Sequence, residues 1–346
     1  MTYLSKKRSN EGAFDKDLQS WIKACISNQF RPTDQDFPQT QSESEGLLPW
    51  LAYRLHETGT LESLPTTQQD ELRQGLRHSS LLHLDCEGEL KRLSHSAAED
   101  GIRLLTFKGH AVARTLYPHP ACRVTSDFDF LVDPLQLDGI RSWLADSEYA
   151  PTNPFAGTIW LGAQNWAREI GGVTRFHSDI HWDYTSRMYF RQRLSFDDIW
   201  DRSVEVPCGD FMLRVPCPVD NLVLACVHLA AFDPGLHVRL IWLLDIYLLM
   251  ASLDDSDVAF LLERAEKAHA LEACLVFGER AEELGDADAL GAVLSGLRKV
   301  ASKRRMRAYD RTLRWRGWDL ACYWARLGVK EKVLFFGDMV RWVKGR

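Results

Sequence analysis

The apolar positions in the first hundred residues recur at helical spacing. One stripe, spaced i, i+3, i+4, i+7 and i+8 as in an amphipathic helix, consists of Leu18, Trp21, Ile22, Cys25 and Ile26. A second stripe, in which leucine predominates, predicts a long helix from Gln68 to Ala98. We therefore expect a helical region over residues 1–100.

From Gly101 the pattern changes, and short apolar runs that predict strands alternate with helical segments. Two of these runs, Trp166 to Ile170 and Val173 to Trp182, flank Gly171-Gly172, a pair suited to the two-residue turn of a hairpin. After Pro218 the pattern is helical to the end of the chain. The pattern predicts an α/β fold in which a strand-bearing part, 101–217, lies between helical parts 1–100 and 218–346.

The most informative stretch is Leu104 to Val132, LLTFKGHAVARTLYPHPACRVTSDFDFLV. Asp127 and Asp129 stand two residues apart in a predicted strand, so both carboxylates share one face, about 7 Å apart. Two like charges there favour a bound cation, and Mg²⁺ takes oxygen ligands and shares them with phosphate. Upstream, Lys108 is followed by Gly109, which opens a helix. The Gly109 amide and the mobile Lys108 cation could both contact an anion. The stretch predicts a metal clamp beside an anion site.

This stretch resembles the polymerase-beta-like nucleotidyltransferase superfamily, in which a glycine-containing turn opens a helix and a strand carries two acidic residues. It is most similar to an uncharacterised bacterial nucleotidyltransferase family, through Lys108, Gly109, Tyr117, Pro118, Arg123, Ser126, Asp127 and Asp129. Nucleotidyltransferase toxins of abortive-infection systems are similar too, but they carry Lys-Gly-Gly-Thr where this chain has Lys-Gly-His-Ala, which includes His110. The resemblance spans roughly residues 100–250.

The resemblance implies a small mixed sheet and transfer of a nucleoside monophosphate from an NTP to an acceptor, with release of pyrophosphate. Asp127 and Asp129 would hold Mg²⁺ or Mn²⁺, and Asp179 would fill the place of a third catalytic carboxylate that completes the metal site and takes a proton. Part 101–217 would then be the catalytic domain. The acceptor stays open among tRNA, protein, peptide and small molecule, and the NTP is not specified.

The same resemblance implies a nucleotide-binding set. Lys108 and Gly109, with Arg123 and Ser126, would hold the phosphates. The related families carry an arginine and an aspartate on a later helix, and these correspond to Arg239 and Asp245. Because Asp245 stands in the apolar run LIWLLDIYLLM, its carboxylate must be paired or face a polar site, and a structural role is equally open.

A second polar strand face is formed by His177, Asp179 and His181, which occupy alternate positions. The resemblance gives His181, which precedes Trp182, a subsidiary role beside Asp179. Two other interpretations stay open: the three side chains could bind Zn²⁺ or Mn²⁺ as the centre of a metallohydrolase, or they could form a half-exposed polar strand face without chemistry. A nucleotide-binding protein without turnover is a further alternative.

Composition adds limits on compartment. With 346 residues, 45% of them hydrophobic, the chain can bury a sizeable core. The eight cysteines include no CxxC pair, and no secretory leader is apparent, which favours a reducing, cytoplasmic location. The most apolar window, Leu240 to Leu253, is interrupted by Asp245, so no transmembrane span is expected.

The net charge of −6 conceals an asymmetry. Residues 298–346 hold 15 Lys or Arg and four acidic residues, a balance of +11 that leaves −17 for the rest of the chain. Basic charge interspersed with tryptophan suits contact with RNA or with an anionic lipid surface. It also suits helices that simply pack on the acidic remainder.

Overall fold

The computed structural model describes residues 16–27, 37–153, 157–159, 161–231, 238–302, 305–307, 309–310 and 316–344. Before the sheet these residues form α1 Lys16–Ser27, α2 Gln39–Ser44, α3 Leu48–Glu57 and α4 Thr66–Glu99. Among the strands lie α5 Gly109–Leu116, α6 Leu137–Asp146 and α7 Phe196–Trp200. The remaining helices are α8 Pro218–Ala231, α9 Leu240–Ala251, α10 Asp255–Lys267, α11 Leu271–Glu282, α12 Ala287–Val300, α13 Arg316–Arg326 and α14 Val329–Lys344.

Seven strands form two sheets within the described residues. They are β1 Leu104–Thr106, β2 Phe128–Val132, β3 Tyr149–Pro151, β4 Ala163–Ile170, β5 Val173–His181, β6 Val204–Cys208 and β7 Phe211–Val215. Five strands make a mixed sheet in the order β1-β2-β5-β4-β3, and β6 with β7 makes a separate hairpin. The α/β class with flanking helices is confirmed.

Pairing within the larger sheet is antiparallel except between β2 and β5, which run parallel. The predicted β4–β5 hairpin is present, and Gly171 and Gly172 adopt φ values of +63° and +78°, the conformation that a tight hairpin turn needs and that glycine adopts at little cost. A bulge then shifts the register, from Glu169 opposite Thr174 to Arg168 opposite Phe176.

The core lies on both faces of the sheet. The even-numbered side chains of β2, Phe128, Phe130 and Val132, are buried with residues of α4 and α6. On the other face Leu131 joins a larger cluster built mainly from α1, α3, α8, α9 and α11. Because that larger cluster draws on all three sequence parts, the predicted boundaries at residues 100 and 217 stay predictions. No helix of the described residues is both long and apolar enough to cross a bilayer.

Candidate metal and nucleotide site

Two carboxylates meet where β2 and β5 run side by side. Asp129 and Asp179 are directly paired positions of the parallel ladder, and side chains at paired positions project to the same face of a sheet. His181 follows two positions later and projects to that face too. Ligand atoms of these three residues lie within 4.8 Å of one another, and no other such group of three appears among the residues that the structure describes.

Lys108 supplies a cation to this group. It ends the turn before α5 with φ 54° and ψ −130°, a conformation that L residues rarely adopt and that often marks a functional turn. Its Nζ lies 2.6 Å from Oδ1 of Asp129 and 3.3 Å from Nε2 of His181. The same Nε2 lies 3.2 Å from Oδ1 of Asp129, so the three groups form a closed triangle.

The protonation states of this triangle suit metal binding. Burial opposes ionisation of Asp129, but the charge of Lys108 and the contact with His181 outweigh it and hold the pKa of the carboxyl well below its usual value. Burial, followed by the charge of Lys108, lowers the pKa of His181. An ionised carboxylate and a neutral imidazole are the forms in which these side chains act as metal ligands.

Asp127 lies beside the group rather than within it. It precedes β2, whereas the sequence placed it inside the strand, and its Oδ1 accepts a hydrogen bond of 3.1 Å from the Ser126 hydroxyl. Burial and then the negative charges of Asp129 and Asp179 raise the pKa of Asp127. A bound cation would relieve this repulsion, so the electrostatics around Asp127 are compatible with a metal site.

The His177/Asp179/His181 face is split by the structure. His181 belongs to the group of three, while His177 is exposed and is not a member. The third member is instead Asp129 from the neighbouring strand. The geometry thus favours a centre built from β2 and β5 over one built from β5 alone.

Asn165 is a site residue that the sequence did not reveal. Its Nδ2 donates a hydrogen bond to Oδ1 of Asp179 across the β4–β5 pair. The only signal in the sequence was the register of the β4–β5 hairpin. Counting residues back from the Gly171-Gly172 turn predicts Gln164, not Asn165, opposite Asp179. The bulge at Arg168/Glu169 moves Asn165 into that place.

Comparison with known proteins places the chain in a family. A family described as uncharacterised nucleotidyltransferase matches residues 32–286, about three quarters of the chain. The chain belongs to this family. No curated protein and no solved structure matches it. The resemblance read from the motif is confirmed, and the match extends beyond residues 100–250 into both helical regions.

In this chain, Arg123 and Asp245 bind each other. Nη2 of Arg123 lies 2.7 Å from Oδ2 of Asp245, and the Tyr117 hydroxyl donates to Oδ1 of Asp245 at 2.8 Å. All three side chains are buried. Burial and the Asp245 charge hold the pKa of Tyr117 well above its usual value, so the phenol stays protonated and donates. Asp245 is therefore paired within the apolar run of α9.

Gly109 and Arg239 both lie near that pair. A Cβ on Gly109 would come within 2.9 Å of Cγ2 of Thr125 and 3.0 Å of Nη1 of Arg123, so the close approach of α5 to this segment favours glycine. Arg239 directly precedes α9, and its guanidinium lies 5.8 Å from the centre of the Trp242 ring. Burial and the nearby charge of Arg123 lower its pKa.

His110, which replaces the small residue of related sequences, faces away from the carboxylates. Its ring is fully buried and stacks on Phe128 with 5.0 Å between ring centres. Since Phe128 and Asp129 are neighbours in a strand, they project to opposite faces of the sheet. The imidazole of His110 thus packs in the core on the face of the sheet that carries Phe128, and not on the face that carries Asp129.

Proposed function

We propose that this protein transfers a nucleoside monophosphate from an NTP to an acceptor and releases pyrophosphate. The observation that carries the proposal is the convergence of Asp129 and Asp179 with His181 beside Lys108. Membership of a nucleotidyltransferase family supports the reaction class. The convergence supplies the chemistry that this class needs, a carboxylate clamp next to a cation and a helix N-terminus.

The donor set fits a divalent cation such as Mg²⁺ or Mn²⁺. Two carboxylates and a neutral imidazole offer oxygen and nitrogen donors, and Asp127 adds a third carboxylate beside them. Asp127, Asp129 and Asp179 would hold the ion, with His181 as an auxiliary ligand and no role for His177. When bound, the ion would neutralise phosphate charge and orient the triphosphate.

The chain's own groups account for the remaining steps. Lys108 and the amide of Gly109 would hold the phosphates, since an ammonium and a helix N-terminus both favour anions. Asp179, oriented by Asn165, would take the proton of the acceptor hydroxyl as its oxygen bonds to the α-phosphorus. The bond between the α-phosphorus and the bridging oxygen then breaks, and pyrophosphate leaves with that electron pair.

The other predicted nucleotide-binding residues would act as positioning residues. The Arg123–Asp245 pair would hold the segment that leads to Asp127 against Gly109. Ser126 would orient the Asp127 carboxylate through its hydroxyl. Arg239 directly precedes α9, the helix that carries Asp245, and would line the nucleotide pocket.

The test traces where the α-phosphate and the γ-phosphate of the NTP go. Purified protein is incubated with Mg²⁺ or Mn²⁺, cell extract and each of the four NTPs, labelled either at the α- or at the γ-phosphorus. We expect α-label on an acceptor and γ-label in pyrophosphate. Release of γ-label above the level of extract alone, with no α-label on any acceptor, would instead indicate a hydrolase. NTP binding with no release of either label above that level would indicate a non-catalytic nucleotide-binding protein.

A matched pair of variants controls this experiment. Asp179→Asn removes a charge from the site, whereas Asp146→Asn makes the same change at an exposed position at the end of α6. Transfer lost in the first variant and kept in the second is the expected result. Equal activity in both variants would contradict the proposal.

A further inference from the structure

The last helix, α14, has two chemically different faces. Its inner face carries Phe335 and Asp338, which are both buried. Phe335 joins a small cluster with Tyr323 and Leu327, and Oδ2 of Asp338 accepts a hydrogen bond of 2.8 Å from the amide of Ile159. These contacts fix the rotation of the helix about its axis, and so they fix which side chains point outward.

The outer face carries an apolar stripe. Val329, Val333, Phe336 and Val340 are 81%, 69%, 53% and 45% exposed. At 100° per residue these four positions fall within about 60° of one another, on the side of the helix opposite Asp338. A contiguous row of exposed apolar side chains on a helix that is held by Phe335 and Asp338 marks an interaction surface. Leu334, which is 52% exposed, lies outside this row.

The charges beside the stripe are all basic. Lys330 flanks it on one edge and Lys332 on the other, and both are exposed or half-buried, whereas Arg341 forms an ion pair with the buried Asp338. The two acidic residues of the helix turn elsewhere, since Asp338 is buried and Glu331 accepts a hydrogen bond of 2.7 Å from the amide of Gly328. The outward half of α14 is thus made of apolar and cationic side chains.

We propose that α14 is a membrane-surface helix that docks this protein on anionic lipid. A stripe of valine and phenylalanine between lysines matches an interfacial helix, in which apolar side chains enter the headgroup boundary and cations contact lipid phosphates. Phe336 packs edge-on against Trp324 of α13 at 5.4 Å, which adds a half-buried indole to this surface. The acidic remainder of the chain is repelled by the same lipid, and this repulsion orients the docked protein.

Two other partners fit this surface less well. RNA is bound through phosphate contacts and base stacking, and a row of exposed valines serves neither. A second copy of α14 packed on the stripe would bring two more lysines, its own Lys330 and Lys332, to the interface and no acidic side chain of the outer face to pair with them. Charge complementarity therefore selects an anionic lipid surface.

The test is flotation of the full chain with vesicles. We expect the wild-type protein to float with phosphatidylcholine vesicles that contain phosphatidylglycerol, to float much less with phosphatidylcholine alone, and to detach at high salt. Val333→Asp combined with Phe336→Asp should lower the vesicle-bound fraction at least about tenfold. Lys330→Glu combined with Lys332→Glu should lower it on anionic vesicles to a similar degree.

Leu81→Asp combined with Leu84→Asp is the matched control, because it places the same two charges at exposed apolar positions on α4. Thermal unfolding of every variant separates lost binding from lost folding. Absence of wild-type flotation, or equal flotation of the stripe variant and the control, would overturn the proposal. So would a dimer that the stripe variant breaks, or RNA binding that the lysine variant abolishes, if either occurs without vesicle binding.

Discussion

Two buried carboxylates each pair with a cation, Asp129 with the half-buried Lys108 and Asp245 with the buried Arg123, but the two pairs have different surroundings. In the second pair the Asp245 carboxylate is fully paired. Arg123 contacts both of its oxygens, and the Tyr117 hydroxyl donates a further hydrogen bond to one of them. In the first pair the carboxylate also borders Asp179 and Asp127, two further negative charges. A surplus of like charge, rather than burial or pairing, distinguishes a site that can bind a cation from a structural ion pair.

The largest effect is expected on catalytic activity, when the Asp129–Lys108 pair is changed. Asp129→Asn should lower kcat/KM for the proposed nucleotidyl transfer at least about 10³-fold, or roughly 4 kcal/mol, because it removes a proposed metal ligand and the partner of Lys108. Steady-state measurement of pyrophosphate release checks this, together with the thermal midpoint. Activity within tenfold of wild type would show that β2 is not the metal strand.

A somewhat smaller effect is expected on stability for the second pair. Asp245→Asn leaves the buried Arg123 guanidinium without its counter-charge, which should lower the free energy of unfolding by about 3 kcal/mol. Urea unfolding measures it. Arg123→Met combined with Asp245→Leu should recover part of the loss, because no uncompensated charge remains. Unchanged stability with abolished NTP binding would instead assign Asp245 to the nucleotide pocket.

The buried imidazole of His110, which stacks on Phe128, is a third polar group to compare with these two pairs. Burial, followed by the charge of Arg114, lowers the pKa of His110 to about 3. Because this native value lies below that of the unfolded chain, about 6.5, the neutral ring contributes its full stability above pH 6.5 and loses it progressively as the pH falls toward 3. His110→Met should reduce the loss of unfolding free energy between pH 8 and pH 5 by about 2 kcal/mol.

Nε2 of His110 is buried without a hydrogen-bond partner, so replacing the imidazole with methionine breaks no hydrogen bond at that nitrogen. Urea unfolding at both pH values provides the measurement, and His78→Gln, at an exposed position of α4, serves as the control. An unchanged pH dependence in His110→Met would show that the imidazole is not held neutral in the folded protein.

The smallest effect is expected at Asn165. Asn165→Ala removes the hydrogen bond that orients Asp179 and should lower kcat about tenfold with little change in KM, as is typical of groups that orient a metal ligand. Glu169→Ala, an exposed change on the same strand, should leave both constants unaltered. An increase in KM without a fall in kcat would point to direct substrate contact instead.

The local features of the site could be predicted from sequence because short-range patterns encode them. The Lys108-Gly109 turn, the pair Asp127 and Asp129, and the Gly171-Gly172 hairpin all depend on residues close together in the chain. His181 was predicted to be auxiliary, and the structure places it in the group of three. Asp127 was predicted to lie within the strand, and it precedes it.

Other features could not be predicted because they depend on distant or irregular geometry. Asp245 lies 122 residues from Arg123 in the chain, so its identity as an ion-pair partner had no local signal. Asn165 comes opposite Asp179 through a bulge, a one-residue irregularity that side-chain periodicity does not announce. The outward stripe of α14 became visible only once Asp338 and Phe335 were seen to be buried.

By itself, the sequence determined which reactive groups exist and which of them share a strand or a turn, because alternation and helical spacing follow from local backbone geometry. Only the tertiary structure decided that β2 and β5 run parallel with Asp129 opposite Asp179, since nothing in either strand's own pattern selects its neighbour or its register. The charge surplus on which the proposed cation site depends arises from that pairing.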